Sequence, residues 1–280
     1  MFDKDLDHLG DDTIPHVTFR LVDTIYGVSA ASVRTMLEIP AVTPVPRAPD
    51  FVRGLIKLRG QALPLIDLRL RLGMTSTLAD LEGFSNMLAA REQDHRNWLA
   101  ELEASVREER PFKLTTDPHA CAFGKWYDNF ATDNATMRNI VRRFDRPHRK
   151  IHAVAHAVAE AVTAGDFARS AEIIETTRNK ELARMIELFA AARKAYREEV
   201  RETVLVLEAG RYAYGVTVDA VEAVEIFDDD ALMPNPVASP VGTMPDPVIA
   251  MGRRPESDVV VQLLDPALLC RLRDLAPVSP

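Results

Sequence analysis

Val17, Phe19 and Leu21 alternate with polar neighbours, the period of two that a half-buried strand requires. Short apolar runs follow, "YGV", "VTPVPRAPDFVRG" and "LIKLRGQALPLIDLRL", each broken by glycine or proline. Prolines at 40, 44, 46, 49 and 64 remove backbone donors and rule out a helix here, so residues 16–73 are predicted to be strands. Residues 203–265 carry the same pattern. "TVLVLEAGRYAYGVTVD" reads as two strands joined by a glycine turn, a proline-punctuated stretch covers 234–247, and "DVVVQLLD" reads as a further strand. The two flanks also echo each other. "YGVSAASVRTMLEI" starts at Tyr26 and "YGVTVDAVEAVEIF" at Tyr214, which suggests two related β units.

Residues 76–200 change period. Leu81, Phe84, Leu88, His95, Trp98, Leu102 and Val106 fall on one helical stripe, as do Ile174, Met185, Phe189, Ala192 and Tyr196. Gly165 and Asp166 read as a helix stop followed by an N-cap, and Asp145 and Pro147 as the cap and first turn of another helix. The pattern predicts two long helices, a shorter broken pair between them and one short helix near Cys121, together a helical bundle. The bundle interrupts the β region. The organisation expected is therefore 1–75 and 201–280 as two parts of one β domain, with 76–200 spliced into it.

Charge narrows the partners. A formal net charge of −8 opposes binding to nucleic acid or adsorption to an anionic membrane. The acidic start "MFDKDLDHLGDD" is unlike a signal peptide, and no apolar run is long enough to span a bilayer. With 2 cysteines and no secretory signal, free thiols and a cytoplasmic location are expected.

The chemistry lies in the helical segment. His148 and His152 are four apart on a predicted helix, so both rings leave one face, a common way of offering two nitrogens to zinc. His95 stands on an apolar stripe where leucine would be expected, and a buried imidazole needs a partner. Cys121 offers a thiolate, and three imidazoles with one sulfur would close a tetrahedral shell. Each residue has a plainer reading: a hydrogen-bonded core histidine, a surface pair, an inert packed thiol. His119 and His156 are rivals, the first beside Cys121 and the second one turn beyond His152. Phe123 and Trp126 read as core anchors, and Cys270 as a buried apolar residue.

"HRNW" at 95, "CAFGKWY" at 121 and "HRKIH" at 148 resemble the chemoreceptor zinc-binding (CZB) family, in the same order and with similar spacing. The resemblance assigns His95, Cys121, His148 and His152 as ligands of Zn2+. The flanks resemble CheW, the coupling protein of bacterial chemotaxis, through "PDFVRGLIKLRGQALPLIDLR" at 49–69 and the two Tyr-Gly-Val units. Lys57 stands where that family usually has asparagine, and Thr35 where it has an acidic residue. The fold implied is α+β, a CheW-like pair of small β-barrels carrying an inserted zinc-binding four-helix bundle. The partners implied are the chemoreceptor cytoplasmic signalling tip and the histidine kinase CheA, with Arg59 carried over as a partner-contacting residue. Bundles of this kind often pair as homodimers, and nothing in the sequence marks a dimer seam.

No glycine-rich phosphate loop, kinase signature or nucleophile with an adjacent base occurs in the flanks, so the expectation is a scaffold and not an enzyme. The zinc-bound thiolate would make it a sensor of metal or oxidant. Three alternatives remain: structural zinc without sensing, a metal-free interaction module, and a zinc hydrolase. The last needs a general base, for which Asp94 and Asp117 are undistinguished candidates.

Overall fold

The computed structural model describes residues 14–235, 247–254 and 257–270. Along the chain, strands β1 (Pro15–Leu21), β2 (Thr24–Ser29), β3 (Val33–Glu38), β4 (Val42–Thr43), β5 (Val52–Leu58) and β6 (Gln61–Asp67) lead into a short helix α1 (Leu68–Arg71). Then come α2 (Thr77–Arg107), α3 (Ala122–Asn129), α4 (Ala135–Arg142), α5 (Asp145–Thr163), α6 (Phe167–Thr177) and α7 (Ala183–Glu199). Strands return as β7 (Thr203–Ala209), β8 (Tyr212–Val218), β9 (Ala220–Ile226), β10 (Leu232–Pro234), β11 (Val248–Arg253) and β12 (Val260–Leu264), followed by α8 (Pro266–Leu269). Most of the proline-punctuated stretch 234–247 lies outside the described residues.

The chain divides into two units, one of residues Met1–Thr77 with Arg201–Pro280 and one of Leu78–Val200. The first is built on two six-stranded sheets, ordered β10-β11-β12-β2-β1-β9 and β3-β7-β8-β6-β5-β4. The same order of equivalents runs through both, with β2 matching β8, β1 matching β7 and β12 matching β6. Each Tyr-Gly-Val strand pairs antiparallel with the strand before it and parallel with β12 or β6. The strand that follows each, β3 or β9, joins the other sheet.

The repeated motif has one physical role in both places. Tyr26 and Tyr214 are buried in the shared core with Phe19, Leu21, Leu205 and Leu207. A Cβ on Gly27 would lie 2.9 Å from Leu263, and one on Gly215 would lie 3.0 Å from Leu65. Glycine therefore lets the parallel neighbour approach closely at each site.

The sheets are not the closed barrels expected. Among the described residues, β9 and β10 bound one sheet and β3 and β4 the other, with no ladder between the outer strands. β4 has 2 residues and β10 has 3, too few to carry a closing ladder. Pro40, Pro44, Pro46 and Pro49 withhold donors where the chain would have to continue it.

A buried ion cluster ties the first strand of the β5–β6 hairpin to the chain leading into β7. The Arg53 guanidinium donates to Asp67 at 2.7 and 3.0 Å and to both carboxylate oxygens of Glu202 at 2.6 Å. Arg53→Ala would leave two carboxylates with 2% and 8% side-chain exposure unpaired. The expected loss is about 3–5 kcal/mol in chemical denaturation, the usual result of stranding buried charge. A loss below about 1 kcal/mol would mean that the carboxylates find other compensation.

In the helical unit, Leu88, Leu99, Leu102, Phe123, Phe144, Phe189 and their neighbours form one core. Gly165 takes a φ of 73°, and the Asp166 side chain accepts from the Arg169 N–H at 2.9 Å, a stop and cap at the expected place. Asp145 differs from its expected role. It is the first residue of α5 rather than its cap, and it pairs with Arg149 one turn on. Residues Arg178–Leu182 form a π turn between α6 and α7. The extra residue places Leu182, not Glu181, in the core beside Met185. No helix among the described residues is long and apolar enough to cross a membrane.

Candidate metal centre

His95 lies midway along α2, and the 3.6-residue period that buries Leu88, Leu99 and Leu102 turns its ring inward as well. His148 and His152 leave the buried face of α5 one turn apart, their ring centroids 4.9 Å from each other. Cys121 is the N-cap of α3, where its sulfur accepts the Gly124 N–H at 3.2 Å. The structure brings these four residues together: one ligand atom from each lies within 4.8 Å of all the others. The Cys121 Sγ and His148 Nε2 are 3.3 Å apart.

Neither rival joins them. His119 is exposed and bonded to Asp128 through Nδ1 at 2.9 Å, which raises its pKa. His156 is exposed one turn past His152. Arg59 lies in the other unit, in the two-residue turn between β5 and β6, with φ of 48° followed by 85° at Gly60. It is exposed there.

The environment keeps the imidazoles neutral. Burial, aided by the neighbouring imidazoles, pushes His148 down to about 3. Burial and His95 push His152 down to about 4, and burial lowers His95 as well. The Cys121 thiol is raised by burial, against the pull of the Gly124 and Phe123 N–H groups.

Whether a metal suits these residues is tested by their unmet bonds. His95 Nδ1 faces the Arg91 carbonyl at 2.7 Å and so donates to it, which leaves Nε2 as the acceptor. That Nε2 is buried without a hydrogen-bond partner, and the ring nitrogens of His152 make no well-formed hydrogen bond, the nearby Thr115 carbonyl being taken by Trp98. Such groups are costly unless something fills their valence. A tetrahedral zinc shell has donor–donor edges of about 3.3–3.7 Å, so the cluster closes onto an ion with shifts on the order of 1 Å. Three imidazoles and a thiolate are a donor set that zinc favours. The residues fit the ion.

Other contributors carry no metal-binding signature of their own. A Cβ on Gly124 would lie 1.9 Å from the Pro118 carbonyl, so only glycine admits the turn that presents Cys121. Phe123 packs edge-on to His148 and His95, with centroids 4.8 and 5.6 Å away. Trp98 Nε1–H donates to the Thr115 carbonyl at 2.8 Å. Its spacing of three from His95 marks a shared face, but not this bond.

Comparison with known proteins places these observations. Residues 15–96 match the CheW-like domain, and residues 95–159 match the chemoreceptor zinc-binding domain. Two adjoining segments of one chain are thus similar to two different kinds of domain. It is 33% identical over 63 residues to the chemotaxis protein CheW of Treponema pallidum (strain Nichols), covering 22% of this chain and 37% of that protein. It is 41% identical over 58 residues to CheW of Rhizobium meliloti (strain 1021), covering 21% and 37%. Protein FrzA of Myxococcus xanthus is 40% identical over 50 residues, covering 18% and 31%. The match thus spans between 31% and 37% of these relatives' own length. Among solved structures, the scaffolding protein TtCheW from Thermoanaerobacter tengcongensis aligns with a TM-score of 0.43 at 14% identity, over 93% of this chain and 94% of that one.

Proposed function

We propose that the chain is a non-enzymatic cytoplasmic scaffold of chemotaxis. In this reading it couples the signalling tips of chemoreceptors to the histidine kinase CheA, and a zinc–thiolate site makes the coupling responsive to zinc or oxidant. The observation that carries it is the convergence of His95, Cys121, His148 and His152 within a segment matching a zinc-binding domain. Residues 76–200 act as a zinc-binding four-helix bundle inserted between the two parts of the coupling domain, 1–75 and 201–280. Arg59, exposed at a strained hairpin tip, contacts a partner.

His95, Cys121, His148 and His152 would hold the ion, which when bound supplies a cross-link between α2, α3 and α5. The chain's own residues set the terms. The Arg91 carbonyl fixes the His95 tautomer, and the Gly124 N–H supports negative charge on the Cys121 sulfur. A peroxide can take two electrons from that thiolate, leaving a sulfenate on Cys121 and releasing water. The sulfenate is a poorer donor, so oxidation loosens what the four residues hold.

Purified protein is expected to contain about one zinc per chain and to capture both a chemoreceptor signalling tip and CheA. Capture of neither partner rejects the coupling role. Partner affinity in Cys121→Ser that equals wild type, with and without peroxide or chelator, rejects sensing and leaves a structural zinc.

A further inference from the structure

After α2 ends at Arg107, the chain does not run straight to Cys121. It doubles back along the helix it has just left. Arg110 reaches Glu101 at 2.5 Å, the Phe112 ring meets the Trp98 ring edge-on at 5.0 Å, and the Thr115 carbonyl accepts from Trp98 Nε1 at 2.8 Å. At the far end Cys121 arrives among the atoms of His95, His148 and His152. Contacts therefore step backward along α2, from 101 to 98 to 95, as the strap advances from 110 to 121.

This strap has little to hold it by itself. Pro111, Lys113, Leu114, Thr115 and Asp117 are exposed. The Arg110–Glu101 pair is more than one-third exposed on both sides, a placement at which an ion pair contributes little. Trp98 is different. Its side chain is buried, its N–H is satisfied by the strap, and its ring centroid lies 5.0 Å from that of His152. One residue, a single turn from His95, thus touches the strap with its polar edge and a donor histidine with its ring.

We propose that Trp98 is a positioning residue of the metal centre: its indole N–H latches the 108–121 strap and so sets the reach of Cys121, while its ring packs against His152. The inference rests on zinc being held by the four residues named above. Loss of an outer partner of this kind typically weakens metal binding about tenfold to hundredfold.

The test compares full-length wild type and Trp98→Phe, which keeps an aromatic ring and deletes the N–H. Two quantities are read: zinc affinity by competition with a chromophoric chelator, and the rate at which iodoacetamide alkylates Cys121 in zinc-free protein, resolved from Cys270 by peptide mass. The variant is expected to bind zinc about tenfold to hundredfold more weakly and to alkylate several-fold faster at Cys121, with Cys270 unchanged. Glu101→Gln, which loosens the exposed latch alone, should stay within about twofold of wild type on both. A merely structural tryptophan would lower the melting temperature without altering either quantity relative to folded wild type. Values within about twofold of wild type on both readouts overturn the proposal. If Trp98→Phe does not fold, Phe112→Leu is judged by the same criteria, since it frees the strap from the indole face. Should wild type bind no zinc, the reading of the site fails, and the alkylation rate alone decides whether Trp98 holds the strap.

Discussion

Chelating zinc is expected to lower the melting temperature of the helical unit by roughly 10–15 °C, and His152→Ala or Cys121→Ser should abolish that response. The ion binds the folded arrangement and not the unfolded chain, so it stabilises by mass action. At free zinc about a thousandfold above the dissociation constant the gain is about 4 kcal/mol. A domain of this size converts that to a shift of several degrees per kcal/mol. The leverage comes from where the donors sit. His95, Cys121 and the His148–His152 pair belong to three helices separated by long stretches of chain, so unfolding disperses them and a bound ion resists it. Each single replacement leaves three donors, and neither variant should respond to zinc or chelator beyond about 2 °C. Melting followed by circular dichroism, with and without excess chelator, gives the answer. A wild-type transition indifferent to both zinc and chelator would remove the metal centre from consideration.

How much of this was readable beforehand depends on whether the signal is local. The stripe through Leu88, His95, Trp98 and Leu102 is a local pattern, and α2 buries all four as the period requires. The four-residue step from His148 to His152 likewise fixes a shared face before any tertiary contact forms. The Tyr-Gly-Val repeat pointed to two related β units, and both copies sit at equivalent places in two sheets of the same order. What the repeat could not convey is that β3 and β9 each leave their own hairpin for the other sheet. That exchange pairs residues roughly two hundred positions apart, and no window of sequence holds such a pairing. The expected barrels failed for a related reason. Closure depends on the length of outer strands, and the prolines between β3 and β5 leave too little ladder at that edge.

The site shows the same division. The four residues that converge were legible as candidates, through the His148–His152 step, the imidazole on an apolar stripe and a resemblance that assigned the set. The parts that aim them were not. The Arg91 and Thr115 groups that face the imidazoles or the indole are backbone carbonyls, which every residue possesses. Gly124 matters through a missing atom, visible only once the Pro118 carbonyl is in place 1.9 Å from where a Cβ would stand. The π turn at 178–182 also escapes periodicity, because it inserts one residue into an otherwise regular stripe.

Zinc-free protein is expected to lose stability steeply as pH falls from 7 to 5, and the sign follows from the histidines. His148 and His152 are held down to about 3 and about 4 by burial, and His95 is lowered for the same reason. Unfolded, all three titrate near 6.5. Above that value both states are neutral and the full stability is present. Below it the unfolded chain takes up protons that the folded cluster refuses, so stability falls until the folded pKa values are reached near 3–4. His148 and His152 each cost about 2 kcal/mol between pH 7 and 5, about 4 kcal/mol together, and His95 adds to the loss in the same direction. Exposed His119 works in the opposite direction, because Asp128 raises its pKa and favours the folded state once protonated. Its pairing is a solvent-screened surface contact, too weak to cancel three buried rings. Replacing His152 by leucine should therefore flatten the pH dependence by about one proton across this range, even though the variant has lost a donor. Urea titrations of zinc-free wild type and His152→Leu at pH 7, 6 and 5 measure both slopes. Equal slopes would mean that His152 meets solvent as readily in the folded protein as in the unfolded chain, against the burial that defines the cluster.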